Sequence, residues 1–102
     1  MGQMKAYLIE KLSGINYRMT VHEGDAKRRL AVEAANIFLL PKHEIPVEYE
    51  KQFQGLLDLI EASMPFNGLT PTNLKGLRNP PAVKYIKLLL DIQSELKNNE
   101  ND

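Results

Sequence analysis

Apolar side chains recur with helical spacing from Tyr49 to Met64. Phe53, Leu56, Leu57, Ile60 and Met64 stand at i, i+3, i+4, i+7 and i+11. That spacing collects them on one face of an α-helix. Lys51, Gln52, Asp58 and Glu61 mostly fall elsewhere. Pro46 suits the first turn, where its missing N–H costs nothing, and Pro65 disfavours helix at the residue before it. The pattern predicts a central helix from about Pro46 to Ser63 that the other apolar stripes cover.

A second stripe precedes it: Ala26, Leu30, Ala34, Ile37 and Phe38, widened by Ala31 and Ala35. The alanines favour helix, and Asp25 is placed to cap its free first-turn amides. This helix is expected from Ala26 to about Leu40, ended by Pro41. An earlier start through a Thr20–Glu23 capping box would enclose Gly24 at a cost of roughly 1 kcal/mol. Beyond the central helix, Pro65-Phe66-Asn67-Gly68 reads as a turn. Thr70-Pro71 is a cap and first-turn pair that opens a short helix through Leu74, stopped near Gly76. Asn79-Pro80 repeats the signal and opens a last helix. Val83, Ile86 and Leu90 line one flank of its stripe, and Tyr85, Leu89, Ile92 and Leu96 line the other.

The pattern changes near the N-terminus. Ile15, Tyr17, Met19 and Val21 alternate with Asn16, Arg18, Thr20 and His22, and period two with β-branched and aromatic residues argues a half-buried strand. Lys5 to Leu12 fits either a strand or a helix that stacks Met4, Leu8 and Leu12 with Gly14 as its stop. The Ser13-Gly14 turn favours the strand, because a lone strand needs a partner. The expected fold is therefore α+β, mainly α: an N-terminal β-ribbon packed on a bundle of three main helices plus one short helix. Its core draws on Leu8, Tyr17, Met19, Leu30, Ala34, Ile37 and Phe38, on Phe53, Leu56, Leu57 and Ile60 of the central stripe, and on Ile86, Leu89 and Leu90.

With 102 residues, 43% of them hydrophobic and 25% charged, the chain makes a single domain over 1–102. Loose ends are expected at 1–3 and 98–102. The absence of cysteine excludes disulfides, thiolate-held metals and a thiol nucleophile. No apolar run reaches the ~20 residues of a membrane span. The N-terminus lacks a secretory pattern, and Ala6 stands where myristoylation needs Ser or Thr. A cytoplasmic protein with no membrane contact is expected. Formal charge is zero but unevenly spread: residues 1–30 carry six basic and three acidic side chains, and residues 31–66 carry two and six.

Candidate chemistry is sparse. His22, Glu23 and Asp25 cluster before the second stripe and His43-Glu44 follow it, but the ends of that helix lie about 20 Å apart, too far to share a metal. Capping and surface polarity account for them. There is no glycine-rich phosphate loop. Lys27, Arg28 and Arg29 sit in the first turns of a helix, where the macrodipole disfavours positive charge. Lys75, Arg78, Lys84 and Lys87 form a second basic group. A short helix, a turn over Leu74–Pro81 and the last helix would make a helix-turn-helix, and converging basic groups would follow phosphates. Against this stand the zero net charge and the width of the last apolar stripe. Glu44, Glu48 and Glu50 form an acidic edge, while Tyr7, Tyr17, Tyr49 and Tyr85 supply aromatic anchors for an interface.

No segment matches a family pattern, so nothing is carried over by resemblance. By elimination the chain reads as a non-catalytic, cytoplasmic protein-binding or adaptor domain without cofactor or metal, engaging a protein partner or a second copy of itself. The runner-up is a nucleic-acid-binding protein using Lys27–Arg29 and Lys75–Lys87. The third reading is a small enzyme or metal protein centred on the His22 loop. A contiguous exposed apolar patch rimmed by tyrosine marks the first, steeply salt-dependent affinity the second, and a polar pocket holding His22 the third.

Overall fold

The computed structural model describes residues 2–71 and 73–100, and side chains within 6–98 of that span. Helix α1 covers Gly2–Val21, α2 Ala26–Val32, α3 Ala34–Phe38, α4 Glu50–Ser63 and α5 Asn79–Glu100. Single 3-10 turns at Lys42–Glu44 and Val47–Tyr49 join α3 to α4. No strand occurs among the described residues, so the expected N-terminal β-ribbon is corrected to the long helix α1.

The reason lies in what a helix here can bury. Leu8, Leu12, Ile15 and Met19 are all buried, at spacings of four, three and four, so one continuous helical stripe outcompetes two short strands. A helix also pairs its backbone groups within itself, whereas a two-stranded ribbon leaves both outer edges unpaired. Gly14 sits inside α1 rather than at a turn, at the usual cost of about 1 kcal/mol for a helical glycine.

A polar seam sets the register of α1 on α5. Asn16 Nδ2 donates to the Leu89 carbonyl at 3.2 Å and to Gln93 Oε1 at 2.6 Å. Gln93 Nε2 in turn donates to Ser13 Oγ at 2.8 Å. Residues 13 and 16 thus meet 93 and 89, so the two helices run antiparallel. Asn16, expected on a solvent face, is 4% exposed.

The stretch expected as one helix from Ala26 to Leu40 is divided at Glu33, whose backbone sits at φ −95°, ψ 4°. Arg18 of α1 grips this residue: its Nε and a terminal nitrogen each reach one Glu33 carboxylate oxygen at 3.0 Å. Asn36 Nδ2 adds a third bond at 3.0 Å. Such a fork-on-carboxylate pairing is the strong form of ion pair, and it compensates a carboxylate whose side chain is only 5% exposed. The division lets α2 pack on α5 while α3 packs on α4 and α1.

Helix α4 matches its expected stripe: Phe53, Leu56, Leu57 and Ile60 are buried. Gly55 lies under the Tyr85 hydroxyl of α5, where a Cβ would sit 3.6 Å away. Met64 leaves the helix for extended backbone at φ −81°, ψ 159°, as a residue before proline prefers.

The expected short helix at Pro71–Leu74 is also corrected. Thr72 lies outside the described residues. Its neighbours form irregular backbone and then a Leu74–Leu77 turn, with Leu77 N–H donating to the Leu74 carbonyl at 3.0 Å. Gly76 takes φ +71° there, which a side chain would oppose. Leu74 and Leu77 plug into the core, so this segment is anchored by side chains rather than by helical hydrogen bonds.

The buried residues form one cluster. Three expected members stand outside it: Tyr17 is 69% exposed, Leu90 45% and Phe38 36%. Ile86 packs at its edge. Leu12, Ile15, Ile92 and Leu96 are inside. Of the expected loose ends, Met1, Asn101 and Asp102 lie outside the described residues, and the helical backbone spans 2–3 and 98–100. No described helix is long and apolar enough to cross a membrane.

Candidate functional site

The first basic group meets the start of α5 at Asn79. Asn79 Oδ1 accepts the Lys27 backbone N–H at 3.1 Å, and Asn79 Nδ2 donates to Asp25 Oδ2 at 3.3 Å. Asp25 Oδ1 accepts the Arg28 backbone N–H at 3.2 Å, closing the N-cap. The start of α2, with Lys27 and Arg28, is thereby tied to the start of α5, and the Asp25 carboxylate lies among these groups. The Arg28 amide chiefly, helped by Asn79 and by the charges of Lys27 and Arg28, holds the Asp25 carboxyl below its ordinary value.

The other basic residues make contacts of their own. Arg29 turns its Nε onto the Gly24 carbonyl at 2.6 Å. Lys75 is tied by its backbone N–H to Ser63 Oγ at 2.8 Å, at the end of α4. Lys84 and Lys87 lie one and two turns along α5, and Lys87 Nζ is 3.7 Å from Asp91. The helix-turn-helix geometry that would have presented this group is corrected with the short helix: among the described residues no helix lies between α4 and α5 to form its first arm. Helix α5 commits Ala82, Leu88, Leu89, Ile92 and Leu96 to the core.

The histidine loops remain separate. His22 Nδ1 accepts the Gly24 N–H at 2.9 Å, a local turn contact. His43 Nε2 lies 3.6 Å from Glu44 Oε2 at the other end of α2–α3. Among the described residues no three His, Asp or Glu side chains converge as metal ligands do. Glu44 is largely buried, while Glu48 and Glu50 stay exposed, so the acidic edge is shorter than expected.

The most distinctive surface lies elsewhere. A groove of about 500 Å³ runs between α1 and the end of α3. Ile15 and Leu40, both buried, form its apolar floor. Tyr7 and Leu39 rise on opposite sides, 52% and 77% exposed. Glu10, Lys11 and Arg18 line the α1 side, and Lys11 Nζ sits 5.4 Å from the centre of the Tyr7 ring. The Arg18 guanidinium is held protonated beyond its ordinary value, first by its hydrogen bond to Glu33 and then by that carboxylate's charge. It is therefore a fixed cation on this surface. Tyr17 and Val21, 69% and 57% exposed, continue the apolar character along the outer side of α1.

Of the four tyrosines, Tyr7 and Tyr17 reach this surface, whereas Tyr49 and Tyr85 pack against the core. Burial, with Glu95, Asp91 and Glu48 nearby, raises the Tyr49 phenol above its ordinary value. Leu39, Glu33 and Val21 were not singled out by sequence reasoning. The signal that could have found Val21 is the seven-residue spacing Tyr7–Gly14–Val21. Glu33 and Leu39 depend on how α3 meets α1, which no local pattern carries. Compared with known protein families, with curated proteins and with solved structures, the chain matches none.

Proposed function

We propose that the protein is a non-catalytic protein-binding domain whose interface is the outer face of α1 with the adjoining α1–α3 groove. One observation carries the reading. Exposed Tyr7 and Leu39 line one groove over an apolar floor, with Glu10, Lys11 and Arg18 along its α1 side. Clustered exposed apolar side chains inside a polar rim are the signature of an interaction surface. An aromatic side chain beside a cleft is the usual form of a binding anchor. The reading includes a cytoplasmic setting, where a cysteine-free chain needs no oxidising environment.

Site-specific photo-crosslinking tests it. A photoreactive residue replacing Leu39 or Tyr7 should give discrete protein adducts that excess unlabelled chain competes away. The same residue at Val47, which is 79% exposed but outside the groove, should give none. Equal adducts at all three positions, or none at any, would overturn the reading.

The nucleic-acid reading keeps one point in its favour, the Asn79 bridge that joins the start of α2, with Lys27 and Arg28, to the start of α5, which Arg78 precedes in the chain. A titration against mixed DNA and RNA oligonucleotides tests it. Salt-sensitive binding that is lost in Lys27→Glu/Arg28→Glu supports that surface, and no binding at low salt excludes it.

A further inference from the structure

The protein-binding reading leaves the partner open, and the outer face of α1 carries a pattern that selects one. Tyr7, Gly14 and Val21 recur every seven residues and form a seam. Glu10 and Tyr17 flank it on one side, Lys11 and Arg18 on the other. With 3.6 residues per turn, all seven fall within about a third of the helix circumference. They lie opposite the buried Leu8, Leu12, Ile15 and Met19. A seven-residue recurrence is the repeat that keeps two helices in contact along a shared seam.

We propose that a second copy of this chain docks here, α1 against α1 and parallel, about a two-fold axis running along the seam. The proposal rests on the protein-binding reading and names its partner. Charge decides both the occupant and the direction. An axis along the helices sets opposite flanks together. Glu10 then meets the partner's Lys11, and Tyr17 meets the partner's Arg18, each contact occurring twice by symmetry. Both are favourable: an ion pair, and a guanidinium against an aromatic ring. An axis across the helices sets each flank on its own copy: Lys11 then faces the partner's Arg18, whose charge Glu33 already answers, and Glu10 meets no cation. The face is thus complementary to itself in one orientation only.

The seam has the shape for it. Tyr7 and Val21 supply exposed apolar surface at its two ends, about 21 Å apart at 1.5 Å per residue. Between them the missing side chain of Gly14 leaves room for the Arg18 guanidinium, which a Cβ would approach to 3.1 Å, so that side chain lies across the helix toward Glu33. A single helix pair is a small interface, and the dimer is expected to be weak, with Kd roughly 1–100 µM.

Sedimentation equilibrium of the purified chain, from about 1 µM to 1 mM, should show mass rising from one copy to two. Tyr17→Ser/Val21→Ser should weaken the dimer by roughly tenfold or more while thermal unfolding at low concentration stays unchanged. Glu10→Lys and Lys11→Glu should each weaken it, and the combined exchange should restore it. Because the chain has no cysteine, single introduced thiols report cleanly on direction. Tyr7→Cys and Val21→Cys, both at exposed positions, should each cross-link to itself under mild oxidation, and a mixture of the two should give no mixed product. A monomer throughout the range overturns the second copy as occupant; Leu39 photo-adducts to a different protein would then still stand for the broader reading. A dimer indifferent to the Tyr17 and Val21 changes overturns the face, and a mixed Tyr7–Val21 cross-link overturns the parallel direction.

Discussion

Helices α1 and α4 both lay an apolar stripe on the same core, yet they differ in what they do with the rest of their surface. In α4 the large apolar residues Phe53, Leu56, Leu57 and Ile60 go inward, and none of its side chains is a large exposed hydrophobic. In α1 the inward set Leu8, Leu12, Ile15 and Met19 is matched by an outward set of Tyr7, Tyr17 and Val21. The two sets interleave. Between Ile15 and Val21, alternate members come from opposite faces of one helix, and the result imitates the period-two pattern of a strand. The apolar surplus that obscures the helix in the sequence is the same surplus that leaves its outer face apolar.

The largest effects are expected where α1 and α4 enter the core, and they show whether α1 belongs to it as fully as α4 does. Leu12 and Leu56 are both 0% exposed. Leu12→Ala and Leu56→Ala should each lower stability by about 3 kcal/mol, the loss of a buried leucine with partial collapse of the cavity, measured by urea unfolding. A much smaller cost at Leu12 would make α1 an accessory arm. Next in size is the clasp between α1 and the α2–α3 division. Arg18→Gln leaves a buried Glu33 carboxylate with Asn36 as its remaining partner and should cost roughly 2 kcal/mol, reduced from a fully buried pair because Arg18 is half exposed. Glu33→Gln releases Arg18 into water and should cost less. A reversed order would place the stabilisation on the arginine side.

The same contrast explains what could be read in advance. The α4 stripe, its stop before Pro65 and the flank of α5 bearing Leu89, Ile92 and Leu96 follow from spacing and proline chemistry. The expected start at Pro46 is corrected: that proline leads the 3-10 turn Val47–Tyr49, and α4 opens at Glu50. Glu33 could not be read that way: an acidic residue inside an alanine-rich helix looks like solvent surface until Arg18 arrives from fifteen residues upstream. Leu74 and Leu77 show a third case. Proline and threonine before them signal a helix start, but the chain buries both leucines from a turn, since tertiary burial outweighs a capping preference. The candidate surface was legible only in fragments. Tyr7 and Tyr17 are plausible anchors from composition, while Leu39 joins them through the packing of α3 on α1.

A smaller effect separates the capped end of α2 from α4, whose first turn has no side-chain cap. Asp25→Ala should lower the midpoint of thermal unfolding by a few degrees near neutral pH, because the amides of α2 lose their acceptor. The folded carboxyl lies below its ordinary value of 3.8. A lowered folded value means the stabilisation is fully present above the unfolded value and is lost as pH falls through the folded one. Melting curves of the two proteins should therefore converge as pH drops below about 4. A gap that persists in strong acid would mean the side chain acts by packing rather than as a carboxylate.

The smallest expected effect on the fold is the one that most sharpens the contrast between the two faces of α1. Serine has nearly the helix propensity of tyrosine and valine, and Tyr17 and Val21 lie outside the core cluster. Tyr17→Ser/Val21→Ser should then change stability by no more than about 0.5 kcal/mol in dilute solution, against the much larger loss at Leu12 a turn and a half away on the opposite side. Association adds a concentration term, since whatever binds the folded chain alone stabilises it by mass action. Raising the protein concentration should raise the unfolding midpoint of the parent chain and leave that of the double variant in place. A gap that is already wide in dilute solution would assign Tyr17 and Val21 to the fold of the single chain. A gap that opens only with concentration assigns them to a surface the chain uses with a second copy.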